Sequence, residues 1–476
     1  MSGVLEDENR KKLKEHVKEM EHTVQNLEEK IHESDHTDNQ VMMSLQCDKI
    51  KYHGISNQLE EALKENQQLL NILQQKCNDN DISRTNSQGD VSRSCSTMSI
   101  VHLQYNCLLL GLFHSSKSQC ATPSPTTASG THAPTSQICS GDLIFEDNFD
   151  DLNLQKWNHE NTLAGGGNWE FEWYTNSRYN SYVDGGIIFL KPTLVADENG
   201  EDFLWSGHLD INGGSPADEC TNPQWYGCIR DGSEASYLNP IKSARIRTVY
   251  SFSFKYGKIE VRAKLPAGDW LWPAIWMLPR WNQYSTWPVS GEIDIMESRG
   301  NRELVNGSGV NIGTQLVSST LHWGPAWNIN MYQLTHVEKQ NPAGFDTDWH
   351  NYQLLWDENS LQFSVDDEVL ARYEPPAGGF WEWGNLDSSG WDNPWKRSNS
   401  KLAPFDQEYY ILLNLGCGGL AYFPDDASNP GGKPWLNTSP TASTDFWTGR
   451  DQWLPTWQLE TDNAAFQVDY VRVWAL

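Results

Sequence analysis

The first 156 residues contain no tryptophan, although the chain of 476 holds 23. That gap divides the sequence into two kinds of protein joined end to end. No apolar run reaches the roughly 18–20 residues of a bilayer-spanning helix, which excludes a helical membrane span. Basic residues are scarce, 35 against 63 acidic, for a formal charge of −28. Without a basic stripe to neutralise phosphates, a nucleic-acid partner is excluded and a neutral substrate is the easier fit. No HExxH and no paired CxxC occurs, so the sequence implies no catalytic metal. No internal repeat of fixed period is visible, which disfavours a propeller.

What the tryptophan-free part does have is a heptad register from Leu13 to Leu73. Its inward positions run Val17, Val24, Ile31 and onward to Leu59, Asn66 and Leu73, and Leu13, Met20, Leu27 and onward to Ile55, Ala62 and Leu69. A 3.5-residue apolar repeat predicts a left-handed coiled coil over residues 1–77, with Asn66 favouring a two-stranded, in-register homodimer. A single solvated amphipathic helix is the alternative. Residues 78–138 are expected to be a disordered, Ser/Thr/Pro-rich linker. Within it, residues 98–115 carry Met98 and the apolar stretch Cys107 to Phe113 followed by small residues, the pattern of a secretory signal peptide. Either translation begins at Met98, or the stretch is only a linker hydrophobe.

Residues 139–476 read as one large β domain. Short aromatic and β-branched runs, such as Lys258 to Ala263 and Tyr409 to Asn414, alternate with Gly, Asn, Asp and Pro clusters. This spacing predicts an antiparallel sandwich or barrel. An acidic, tryptophan-dense domain suggests carbohydrate chemistry, because sugar rings have apolar faces and hydroxyls that suit carboxylate acceptors. Most indoles are expected in the core. Five indoles between Trp270 and Trp287 exceed what one strand face can bury, so some are expected to line a cleft. Cys220 and Cys228 read as a small disulfide loop in a secreted, extracellular protein. Cys139 and Cys417 are a further candidate pair. Sequons stand at Asn306 and Asn437.

The chemistry concentrates in Ser290-Gly-Glu-Ile-Asp-Ile-Met-Glu-Ser298. In a regular strand, residues two apart share a face, so Glu292 and Asp294 point together and Glu297 points away. One extra residue at Ile295-Met296, a β-bulge, returns Glu297 to the same side. Three acids lined up on one strand face cost stability without a function. Two glutamates flanking a glycosidic bond are the machinery of a retaining glycosidase, with Asp294 between them tuning their protonation.

Glu-Ile-Asp-Ile-Met-Glu closely resembles the signature of glycoside hydrolase family 16 in its laminarinase-type form. Trp272 to Pro279, His322-Trp-Gly324, Pro404 to Gln407 and Val468 to Val473 agree with it. The wording is similar to the animal β-1,3-glucanase and β-1,3-glucan-binding protein branch. The resemblance implies an all-β, antiparallel jelly-roll sandwich with a concave cleft. It implies Glu292 as nucleophile, Glu297 as acid/base and Asp294 as assisting carboxylate. It matches Trp272, Trp276, His322 and Trp323 to cleft-lining positions, and Glu146 and Asp469 to the region where some members hold a structural calcium. Many glucan-binding relatives carry an N-terminal glucan-binding sandwich where this chain has its heptads. The expected function is endo-acting hydrolysis of β-1,3-glucan by retaining double displacement. The alternative is a non-catalytic β-1,3-glucan-binding recognition protein of innate immunity. A cytosolic coiled-coil interaction protein with a vestigial domain is a third.

Overall fold

The computed structural model describes residue 120 and residues 122–213 and 219–476. The heptad segment and the signal-like stretch lie outside these residues. Two antiparallel sheets pack face to face. The first has nine strands. Its central run places Ser253–Lys255 beside Tyr409–Cys417, then Leu271–Pro279, Glu292–Ser298, Leu316–His322 and His336–Gln340. Arg245–Arg247 also pairs with Tyr409–Cys417, and Asn158–His159 pairs with Arg245–Arg247 in turn. The second sheet has eight strands and is centred on Gly257–Lys264, which pairs with His350–Trp356 on one side and Phe466–Trp474 on the other.

Period-two patterning sets which face is buried. In Gly257–Lys264, Ile259, Val261 and Ala263 are buried in the core, while Lys258, Glu260 and Arg262 stay partly exposed. In Leu271–Pro279, Ile275 and Met277 face the core and Trp272 and Trp276 face the other way. All nine residues of Tyr409–Cys417 are buried. Ile411, Leu413 and Leu415 join the core between the sheets. The opposite face is covered by a small three-stranded sheet and its loops. There Glu172–Tyr174 runs parallel to Ile241–Ser243, and Tyr174 meets Asn414.

Ten of the 23 tryptophans are buried, among them Trp157, Trp270, Trp356 and Trp457. The core therefore takes fewer than half the indoles, less than the sequence suggests, which leaves more of them for surfaces. Cys220 and Cys228 are bonded, as their spacing predicts. Cys139 is not bonded to Cys417. It pairs with Cys120, while Cys417 is a buried free thiol at the end of a core strand.

Residues 122–138 are not a disordered linker. Thr127–Ser129 pairs with Ser253–Lys255, and Leu476 donates its N–H to Thr126 Oγ1. The Ser/Thr/Pro composition conceals a strand because a sheet edge needs backbone pairing more than apolar side chains. Among the described residues, no helix is long and apolar enough to cross a membrane.

Candidate active site

The strand Glu292–Ser298 carries the three acids, and its pairing contains the extra residue. On one side Asp294 opposes Thr320 and Glu297 opposes Ser318, so three steps on this strand match two on its neighbour. On the other side Trp276 opposes Asp294 while the adjacent Ile275 opposes Met296. The bulge thus falls at Ile295-Met296, and both residues are buried in the core. Ser319 Oγ donates to the Ile295 carbonyl at 2.8 Å, satisfying a backbone oxygen that the irregular ladder frees. Glu292, Asp294 and Glu297 consequently share the face turned away from the core.

Each carboxylate has its own support. Trp287 Nε1–H donates to Glu292 Oε2 at 2.7 Å. Trp272 Nε1–H donates to Glu297 Oε1 at 3.0 Å, and the Trp272 ring stacks on Tyr422 with centroids 3.9 Å apart. The Arg299 guanidinium covers Tyr422 at 3.9 Å. Asp294 lies 3.2 Å from His322 Nε2. Asp294 is only 3% exposed although it faces away from the core, so it sits on the floor of a recess. Trp287, His322 and Tyr332 form an aromatic wall beside it.

Burial first, then Glu292 and Glu297, hold the Asp294 carboxyl well above the usual carboxylate range. Burial likewise raises Glu297, with Glu292 adding to it against the pull of His322. Burial pulls His322 down, but Asp294, Glu292 and Glu297 outweigh it and push it up to about 10. A protonated imidazole donates from both nitrogens. Nε2 faces Asp294, and the Asn330 carboxamide lies 2.7 Å from Nδ1. Asn330 Oδ1 has no partner as placed, and turning the amide over gives it the second imidazolium proton.

Glu292, Asp294 and His322 bring potential ligand atoms within 4.8 Å of one another. The same carboxylates raise the His322 pKa, so a metal would have to displace a proton from the imidazole to bind it. The calcium positions fit no better. Glu146 is bound by Arg472 Nε at 2.8 Å and Asp469 is paired with Arg262, so each carboxylate is already neutralised by an arginine.

Trp272, Trp276 and His322 lie on the open face, as expected. Trp323 does not. It is fully buried, donates Nε1–H to Thr335 Oγ1 at 2.9 Å and packs edge-on to Phe380. It follows His322 directly, and alternation turns it inward. Asn306 sits in an exposed turn whose backbone N–H groups its side chain accepts. Asn437 is half-buried, with its amide donated to the Phe423 carbonyl.

Tyr422, Asn330 and Asn414 also stand at the site without having been singled out, and Trp287 was named only as one of the five clustered indoles. Trp287 belongs to the tryptophan- and proline-rich run, and Asn414 is a lone amide in an apolar strand, signals that point to them. Nothing local marks Tyr422 or Asn330. Asn414 accepts from Trp276 Nε1 at 2.6 Å and donates to Tyr174.

Residues 228–392 match the family model described as Glycosyl hydrolases family 16. The β-1,3-glucan-binding protein of Penaeus monodon is 48% identical over 341 residues, covering 70% of this chain and 90% of its own. The chain belongs to glycosyl hydrolase family 16, in the animal branch that holds such proteins. Its relatives there include β-1,3-glucan-binding protein 1 of Manduca sexta, 35% identical over 71% of this chain and 66% of its own. Gram-negative bacteria-binding protein 1 of Drosophila melanogaster is 34% identical over 71% of this chain and 65% of its own. Among solved structures, the laminarinase from Rhodothermus marinus aligns over 70% of this chain and 97% of its own, at 23% identity and a TM-score of 0.42.

Proposed function

We propose that this chain binds β-1,3-glucan along the open face of the carboxylate sheet and hydrolyses it with retention of configuration. The names of its relatives support the ligand. The indoles of Trp272, Trp276 and Trp287 supply flat apolar faces beside hydrogen-bonding acids, the mixture a pyranose ring takes. Hydrolysis rests on one observation: the bulge carries Glu297, whose pKa is raised by desolvation, to the same face as Glu292.

Glu292, oriented by the Trp287 N–H, attacks the anomeric carbon as the C–O bond breaks. Glu297 gives its proton to the departing oxygen. The glycosyl-enzyme ester is then opened by water, whose proton returns to Glu297. Asp294 and protonated His322 sit between and beside the glutamates and set the hydrogen bonding of the recess.

Glucan recognition without turnover is the second reading, favoured by relatives whose names state binding and no cleavage. Release of reducing ends from laminarin separates the two. Wild type is expected to release them, with the first product the β anomer by NMR, and Glu292→Gln to bind laminarin without cleaving it. Glu297→Gln is expected to spare a substrate with a good leaving group, and azide to restore its turnover. A wild type that binds laminarin and releases nothing leaves the recognition reading in place. The two disulfides support an extracellular setting, digestive or immune.

A further inference from the structure

The Cys220–Cys228 loop presents two aromatic side chains to solvent in a strained and tightly held form. Trp225 is 42% exposed and Tyr226 is 72% exposed, and both have positive φ, 50° and 60°. Side chains of L residues rarely adopt that region, and such strain persists only where the surroundings over-determine it.

Here the surroundings do. The disulfide closes the loop. Arg230 Nη2 donates to the Trp225 carbonyl at 2.8 Å. Thr162 Oγ1 donates to the Asn222 carbonyl at 2.8 Å, and Leu163 N–H donates to that of Gly227 at 2.8 Å. None of this serves the core, since neither aromatic is buried.

The Trp225 ring lies over Gly167, where a Cβ would come within 3.1 Å of Cη2. Gly167 thus leaves the indole its seat. The next loop residues lead back to the recess. Trp169 is 44% exposed, and Glu170 follows it. Glu170 Oε2 accepts from the Tyr174 hydroxyl, which accepts from Asn414, which holds Trp276. Gly416, opposite Trp272, has no side chain to separate Glu170 and Tyr174 from the sheet. Two inter-strand spacings, roughly 10 Å, already separate Glu297 from the strand that carries Gly416 under Glu170, and the seat of Trp225 on Gly167 is three residues further along the loop.

We propose that Trp225, braced by the disulfide and seated on Gly167, is a distal subsite that stacks a glucosyl unit of the same β-1,3-glucan chain whose centre lies over Glu292 and Glu297. It rests on the reading of the recess as a glucan cleft. It makes the protein selective for polymer over short oligosaccharide, because only a long chain reaches both places.

The test uses the full chain with Glu292→Gln, so that ligand is not consumed. In tryptophan oxidation mapped by mass spectrometry, laminarin is expected to protect Trp287 and Trp225, and laminaritriose only Trp287. Adding Trp225→Ala is expected to weaken laminarin binding about tenfold in calorimetry, the scale of an anchoring tryptophan, and to leave laminaritriose within about twofold. Trp225→Phe is expected to retain most of the affinity. The subsite is overturned by equal oxidation of Trp225 with and without laminarin, a measurement that leaves Trp225 itself unsubstituted. It is overturned too by equal weakening of trisaccharide and polymer. If neither ligand protects Trp287, the glucan reading itself falls and takes the subsite with it.

Discussion

Among the residues of the recess, Asp294 is the one whose charge state the fold resists most plainly. Its folded pKa is raised above the unfolded value. Its contribution to stability is therefore complete below the ordinary carboxylate pKa and is lost as pH rises through the raised value. Asp294→Asn removes that loss. The variant is expected to gain thermal stability relative to wild type as pH rises from 4 to 7, while losing less turnover than either glutamine variant. A Tm difference that stays flat with pH would count against the assignment. Trp287 offers a second test. Trp287→Phe keeps the ring but removes the N–H from Glu292. A hydrogen bond to a charged group contributes about 1.5–3 kcal/mol, so kcat on laminarin should fall about ten- to a hundredfold with KM little changed. Two of the three residues supporting the acids, Trp272 and His322, were legible from their place around the signature. Trp287 was legible only as one of several indoles, because a strand pattern does not say which side chain a loop folds back over the strand.

Two short elements carry most of what distinguishes this site. The Ile295-Met296 bulge is one, and it was readable because three acids at spacings two and three fit one face only with an extra residue. Deleting Met296 removes the extra residue and leaves Glu297 two positions after Asp294, where a regular strand keeps it on the same face. Laminarin turnover is therefore expected to survive that deletion, whereas inserting one alanine after Met296, beside the retained bulge, is expected to turn Glu297 toward the core and abolish it; retained cleavage by the insertion variant would refute the re-aiming role. The Cys220–Cys228 loop is the other. Its closure spans 8 residues in sequence. Replacing both cysteines by serine should cost about 2–3 kcal/mol in the loop-closure picture, read from denaturant midpoints. Trp323 shows the limit of reading by resemblance. It lies one residue past a cleft histidine, and strand alternation buries it.

For the whole molecule, the boundary of the sandwich lies earlier than composition implies. Residues 117–476 form one compact unit. Thr127–Ser129 and the Cys120–Cys139 bond belong to it. A fragment of residues 117–476, produced under oxidising conditions, is expected to unfold in one cooperative transition and to bind laminarin like the full chain. A fragment beginning at Cys139 loses a bond closing 19 residues of sequence and a strand at the sheet edge. Its stability should fall by about 3 kcal/mol from the disulfide alone. Equal midpoints for the two fragments would return residues 122–138 to the role of a linker.

Residue order by itself determined the all-β class, the carboxylate strand, its bulge and the Cys220–Cys228 pairing. Each follows from local rules: period-two burial, the face shared by residues two apart, and a short spacing that only one partner can close. The tertiary structure alone decided the partners that lie far apart in the chain. Cys417 was the candidate partner of Cys139, and only the fold brings Cys120 to it. Tyr422 stacks under Trp272 from 150 residues away, and Asn414 reaches Tyr174 on the small three-stranded sheet. The shifted protonation of Asp294, Glu297 and His322 likewise belongs to the fold, because desolvation and mutual repulsion exist only once the strand is buried at the floor of its recess.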